Sequence, residues 1–210
     1  MYKRIFIICL AIFMSLQSYA FGSRIATTSE SSFDASILTI DEEKFLGKSV
    51  PMDVTFTDEN GVTMKLGDLF NKGKPLVLNL IYYNCPASCK PLAEGLASAL
   101  AKINMEIGRD YNVLTLSINE KEGAEDAKKF HQALIDKIKK MPKGSEHWIF
   151  ATTTKENIKK LTGAVGYRFF FSEQDKAFVH PNVYIFLSPE GKITRYIFGL
   201  YPLDFDIKLA

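Results

Sequence analysis

The sequence predicts an α/β fold, a central mixed β-sheet flanked by helices with a β-hairpin at each end. Three observations carry that prediction. An unbroken apolar run, Leu76 to Tyr82, has the character of a strand buried on both faces. Behind it Leu92, Leu96, Leu100, Ile103 and Ile107 recur at helical spacing, and Asn112 to Ile118 is a second apolar strand. Hairpin signals close the alternation at both ends, Asn60-Gly61 upstream and Pro189-Glu190-Gly191 downstream.

Residues 1–20 read as an address. Lys3 and Arg4 precede the apolar run Ile5 to Met14, and Ser18-Tyr19-Ala20 offers small residues for cleavage, so a signal peptide is expected, cleaved or kept as an anchor. The run is short for a bilayer span, which takes about twenty residues. Cys9 lies inside it and is expected to leave with it. Residues 21–49, rich in Ser, Thr and Ala and without sustained periodicity, are expected to be a tether, and residues 50–210 the folded domain.

Within the domain, Val54 and Phe56 before Asn60-Gly61, and Val62, Met64 and Leu66 after it, alternate as a hairpin should. Lys74-Pro75 leads into the central strand. The helix behind it is expected to stop at Gly108. Ala127, Phe130, Leu134, Ile138 and Met141 mark another amphipathic helix, closed by Pro142 and Gly144. Trp148 to Ala151 predicts a strand, Thr154 to Gly163 a helix, Arg168 to Phe171 a small strand, and Val183 to Leu187 with Ile193 to Phe198 the closing hairpin. Leu203 to Ala210 reads as a last helix cut short. A closing hairpin after alternating strands and helices is the plan of a thioredoxin-like domain.

Composition excludes some functions. The 210 residues are 47% hydrophobic and 24% charged, in the globular range. Without Lys3 and Arg4 the basic and acidic residues balance at 24 each, so neither a nucleic-acid partner nor an electrostatic membrane surface is indicated.

The chemistry concentrates at Cys85 and Cys89, which follow the central strand directly and precede the helix. Four positions make about one helical turn, so both can share a face at the helix N-terminus. There the unpaired amides, the dipole and Lys90 would favour thiolate, with Pro86 at the first helical position. A structural disulfide, a redox pair and a metal clamp all remain open. A bridge closing so small a loop removes little chain entropy, which favours the last two. A clamp needs a third ligand. His131, on the polar side of its helix, and His147, in a polar loop, are expected at the surface. His180 precedes the closing hairpin, in the loop that faces the cysteine turn in a thioredoxin plan and often carries a cis-proline. Two thiolates and an imidazole suit copper(I) and tolerate copper(II) or zinc(II).

On these residues the sequence resembles the Sco/SenC family, the copper-binding, thioredoxin-like proteins of cytochrome c oxidase assembly. The likeness runs from about Leu46 to Ala210 and is carried by D-V-T-F-T-D-E-N-G, L-V-L-N-L-I-Y-Y-N-C-P-A-S-C, H-W-I-F-A-T, V-G-Y-R-F, H-P-N-V-Y-I-F-L-S-P-E-G-K and R-Y-I-F-G-L. The resemblance implies copper ligation by Cys85, Cys89 and His180, and delivery of copper or reducing equivalents to the Cu(A) site of an oxidase subunit. It also implies a periplasmic or membrane-anchored location, with other copper chaperones or thiol reductants as further partners. A thiol–disulfide oxidoreductase with Cys85 and Cys89 as catalytic residues, or a copper or redox sensor, are the alternatives. Two departures stand out. Ser117-Ile118-Asn119-Glu120 replaces the family's S-x-D-P turn, leaving Glu120 as the substitute carboxylate, and Lys90 stands where Pro or Gly is common.

Overall fold

The computed structural model describes residues 35–210. The export segment, Cys9 and the first part of the tether lie outside them. In chain order the elements are α1 (Glu42–Phe45), β1 (Thr55–Asp58), β2 (Thr63–Lys65), β3 (Leu76–Ile81), α2 (Cys89–Leu100), β4 (Asn112–Ser117), α3 (Ala124–Lys137), β5 (Ile149–Thr152), α4 (Lys155–Ala164), β6 (Phe170–Ser172), β7 (Ala177–Val179), β8 (Val183–Leu187), β9 (Ile193–Phe198) and α5 (Asp204–Lys208). Seven strands form one mixed sheet in the order β2-β1-β5-β4-β3-β8-β9. β3, β4 and β5 run parallel, joined through α2 and α3, and the outer pairs are antiparallel. This is the predicted thioredoxin-like plan.

The centre of the sheet follows from its composition. All six residues of β3 are buried, as are all five of β8, because helices cover both faces. The first hairpin turns where predicted. Gly61 takes φ +81, and the Asp58 carboxylate accepts from the amides of Asn60 and Val62. Gly95 allows a close approach: a Cβ there would stand 1.8 Å from the Leu200 carbonyl oxygen, so only glycine lets α2 lie against that segment.

Four expectations are corrected. The helix predicted to reach Gly108 ends at Leu100. Ile103 and Ile107 are still buried, but in a loop, because the Ile107 amide bonds Lys143 O and the Asp110 carboxylate takes the Glu106 amide. Helix α3 stops at Lys137, where Ile138 turns extended, short of the predicted Met141. A strand absent from the sequence reading, β7, pairs with β6. Lastly, the domain begins before residue 50. Ile40 is buried, Gly47 and Val50 donate to Ile193 O and Gly191 O, and Ser49 bridges Lys192, so the end of the expected tether is part of the fold. No helix among the described residues is long and apolar enough to cross a membrane.

Candidate metal centre

β3 ends at Ile81, and the chain from Tyr82 onward turns out of the sheet at its carboxyl edge, where open α/β sheets place their sites. Cys85 lies in that turn, outside the helix that begins at Cys89, which corrects the expectation that both cysteines share a face of its first turn. Helix α2 starts at Cys89, after Ser88, so Pro86 is not its first residue. The outcome for Cys85 is nevertheless that of a helix N-terminus. Its sulfur accepts from the Ala87 amide at 3.4 Å, with the Cys89 amide also turned toward it.

His180 arrives from the loop between β7 and β8, with Nε2 3.4 Å from Cys89 Sγ. One donor atom from each of Cys85, Cys89 and His180 lies within 4.8 Å of the others, and all three residues are buried. Both cysteines are free thiols. The three residues singled out from the sequence thus converge on one point. Their donors, two soft sulfurs and a neutral-capable imidazole, fit a soft or borderline metal ion. Among the described residues no other group of His, Cys, Asp and Glu does so. The His180–Pro181 bond is trans, unlike the cis-proline expected at this loop.

The two thiols are unequal. A hydrogen bond from Cys89, reinforced by His180 and the two amides, holds the Cys85 thiol far below the usual thiol range against the opposing effect of burial. Burial first, then the adjacent Cys85 charge, pushes Cys89 far up. Lys90 is exposed, and hydrogen bonds rather than its charge dominate at Cys85. Of the two, Cys85 is the thiol whose ionisation is favoured and Cys89 the one favoured to keep its proton. In the metal-free reduced protein, alkylation of Cys85 by iodoacetamide should be nearly independent of pH between about 6 and 8, whereas an ordinary thiol slows roughly tenfold per unit below its pKa of about 8.5. Mass mapping of the label checks this; an ordinary tenfold-per-unit decline at Cys85 would refute it.

Sequence reasoning missed the carboxylate that holds the cysteine turn. Glu120, the proposed substitute, is on the surface and pairs with Lys155 at 3.1 Å. The buried acid is Glu122. Its Oε2 accepts from the Tyr83 amide at 2.7 Å and from Ser117 Oγ at 2.6 Å. Its Oε1 accepts from the Asn84 amide at 2.8 Å and from Asn84 Nδ2 at 3.1 Å. A carboxylate has lone pairs for all four donors, and here they lock the two residues before Cys85. The only sequence signal was an acid just before a helix, which many surface residues share.

Aromatic rings wall the site. Tyr82 meets Phe178 of β7 edge-on at 5.2 Å and His180 at 5.9 Å. Burial raises the Tyr82 pKa, and its hydroxyl, turned toward Cys85, makes no hydrogen bond of normal geometry. Of the other histidines, His147 is exposed as expected. His131 is not. It is buried, its Nδ1 lies 2.9 Å from the Glu59 carboxylate, and its ring stacks on Phe150 at 4.2 Å. It joins α3 to the first hairpin and is not part of the cysteine–histidine group.

Fold and site together define a thioredoxin-like domain with a Cys–Cys–His metal centre at the carboxyl edge of its sheet. No family model and no curated protein matches the chain by sequence. Solved structures do. A candidate electron transfer protein from Aquifex aeolicus VF5 is 32% identical over 78% of this chain and 90% of its own, with a TM-score of 0.68. A SCO1/SenC family lipoprotein from Bacillus anthracis is 22% identical over 77% and 92%, TM-score 0.64. Arabidopsis thaliana ScoI, solved with copper bound, is 19% identical over 76% and 92%, TM-score 0.59. The first likeness is a family relationship, and the other two establish the shared fold. With the C-x-x-x-C and H-P-N-V-Y-I-F-L-S-P-E-G-K motifs seated as described, the chain belongs to one family with the Aquifex protein and shares its fold with the Sco/SenC proteins.

Proposed function

We propose that this protein is an exported copper metallochaperone, which holds one copper ion between Cys85, Cys89 and His180 and passes it to the Cu(A) site of an oxidase subunit. The observation that carries this reading is the convergence of two thiols and an imidazole within 4.8 Å. Copper in the Arabidopsis relative supports the choice of ion. Three ligands at a sheet edge suit a carrier, since an acceptor with competing thiols can enter the coordination sphere and take the cargo by exchange. The signal-like residues 1–20 support export to the periplasm, free or anchored there. Titrating the purified reduced protein with copper(I) against a chelator should give about one ion per chain. Mixing the loaded protein with a soluble Cu(A) domain should move the copper to that domain.

The unequal thiols favour a second reading, a thiol–disulfide oxidoreductase acting on the same acceptor. The Cys85 thiolate would attack the acceptor disulfide and expel one acceptor thiolate. Cys89, losing its proton, would then displace the second, leaving a Cys85–Cys89 disulfide and an acceptor dithiol, two electrons having passed to the acceptor. Acceptor reduction without retained copper would favour this reading and overturn the first.

A further inference from the structure

We infer that Tyr167 is a positioning residue of the metal centre: its hydroxyl, seated between Leu80 O and His180 Nδ1, fixes the imidazole with a proton on Nδ1 and with Nε2 turned toward the cysteines. The inference rests on His180 serving as a ligand. Tyr167 Oη lies 2.9 Å from Leu80 O and 2.8 Å from His180 Nδ1, and Nδ1 lies 3.0 Å from Pro181 O. Tyr167 is 2% exposed and His180 6%, so bulk water does not compete for these contacts.

Proton counting assigns the donors. Leu80 O and Pro181 O are carbonyls and only accept, while the phenol has one proton to give. If Tyr167 gave that proton to Nδ1, two pairs of lone pairs would face each other at close range, phenol against Leu80 O and imidazole against Pro181 O. If Tyr167 donates to Leu80 O, the Nδ1 proton is shared between Pro181 O and the phenol oxygen, and every contact is satisfied. Nε2, the atom 3.4 Å from Cys89 Sγ, is then the ring nitrogen left facing the metal side.

The placement has a second consequence. The β3–β8 ladder ends at Asn79–Tyr184, and Leu80 is the next residue of β3. Tyr167 caps that carbonyl, on the strand that delivers the cysteines, while it holds the histidine from the opposite loop. One side chain ties both ligand-bearing segments together, the service that a hydrogen-bond partner behind a ligating histidine usually provides.

The test reads the tautomer before any metal is added. Nitrogen-15 NMR of the reduced, metal-free protein should show His180 protonated at Nδ1. In Tyr167→Phe, with Pro181 O as the one remaining acceptor, both tautomers should be populated, and copper affinity should fall roughly 10- to 100-fold. An unprotonated Nδ1 in the wild type overturns the inference, as does a Tyr167→Phe protein with unchanged Nδ1 protonation and affinity. Should that variant not fold, the wild-type spectrum decides by itself. Failure of the underlying function is distinguishable, because a wild type that retains no copper would still report its tautomer.

Discussion

Replacing His180 by Ala is expected to weaken copper binding by roughly 100-fold or more while leaving a folded, reduced protein. A lost ligand should exceed the 10- to 100-fold that follows from disturbing a residue behind one. The site offers no ready substitute. His131 is committed to Glu59 and His147 lies on the surface, so the remaining donors are two sulfurs. Cys85→Ser should do at least as much damage, since a hydroxyl is a harder and far less acidic donor than the thiolate held at that position. Chelator competition on the reduced proteins measures the effect, and circular dichroism shows whether each variant is folded. Unchanged affinity in either folded variant would remove the metal centre from the account.

Glu122→Ala should cost about 2–5 kcal/mol of stability, since a buried donor left without its acceptor costs about 1–3 kcal/mol. Four donors lose their acceptor, and two are backbone amides that cannot turn away. For a chain of this size that predicts a fall in Tm of roughly 4–20 °C. Copper affinity should fall with it, because Tyr83 and Asn84 immediately precede Cys85. Glu122→Gln is the sharper variant. It keeps one acceptor oxygen but turns an amide NH2 toward donors, so it should also destabilise, though less. A Glu122→Ala protein with wild-type Tm would mean that the cysteine turn is held by packing alone.

Much of the fold was legible in the chain. Leu76 to Ile81 announced a central strand through unbroken apolar character, Asn60-Gly61 a turn that needs positive φ, and Thr154 to Gly163 a helix, found at Lys155–Ala164 with Thr154 capping the Asn157 amide. Each of these signals lies within a few residues of the structure it specifies. The helix expected to reach Gly108 shows the limit of that logic. Burial at Ile103 and Ile107 follows helical periodicity whether the backbone is a helix or a loop, and a carbonyl from Lys143 chose the loop.

The site divides in the same way. The two thiols behind a buried strand, and the histidine before the closing hairpin, could be picked out because those residue types are scarce and the fold plan predicts where the segments meet. Glu122, Tyr167 and the buried His131 could not. Acids, tyrosines and polar helix positions are common, and these three gain meaning from partners distant in the chain, among them Asn84, 38 residues from Glu122, Glu59, 72 from His131, and Leu80, 87 from Tyr167. The sequence by itself determined which atoms could bind a metal. Tertiary structure decided how they are held, which thiol is favoured as thiolate and which imidazole nitrogen faces the cysteines, because those properties depend on burial and on hydrogen bonds between distant segments.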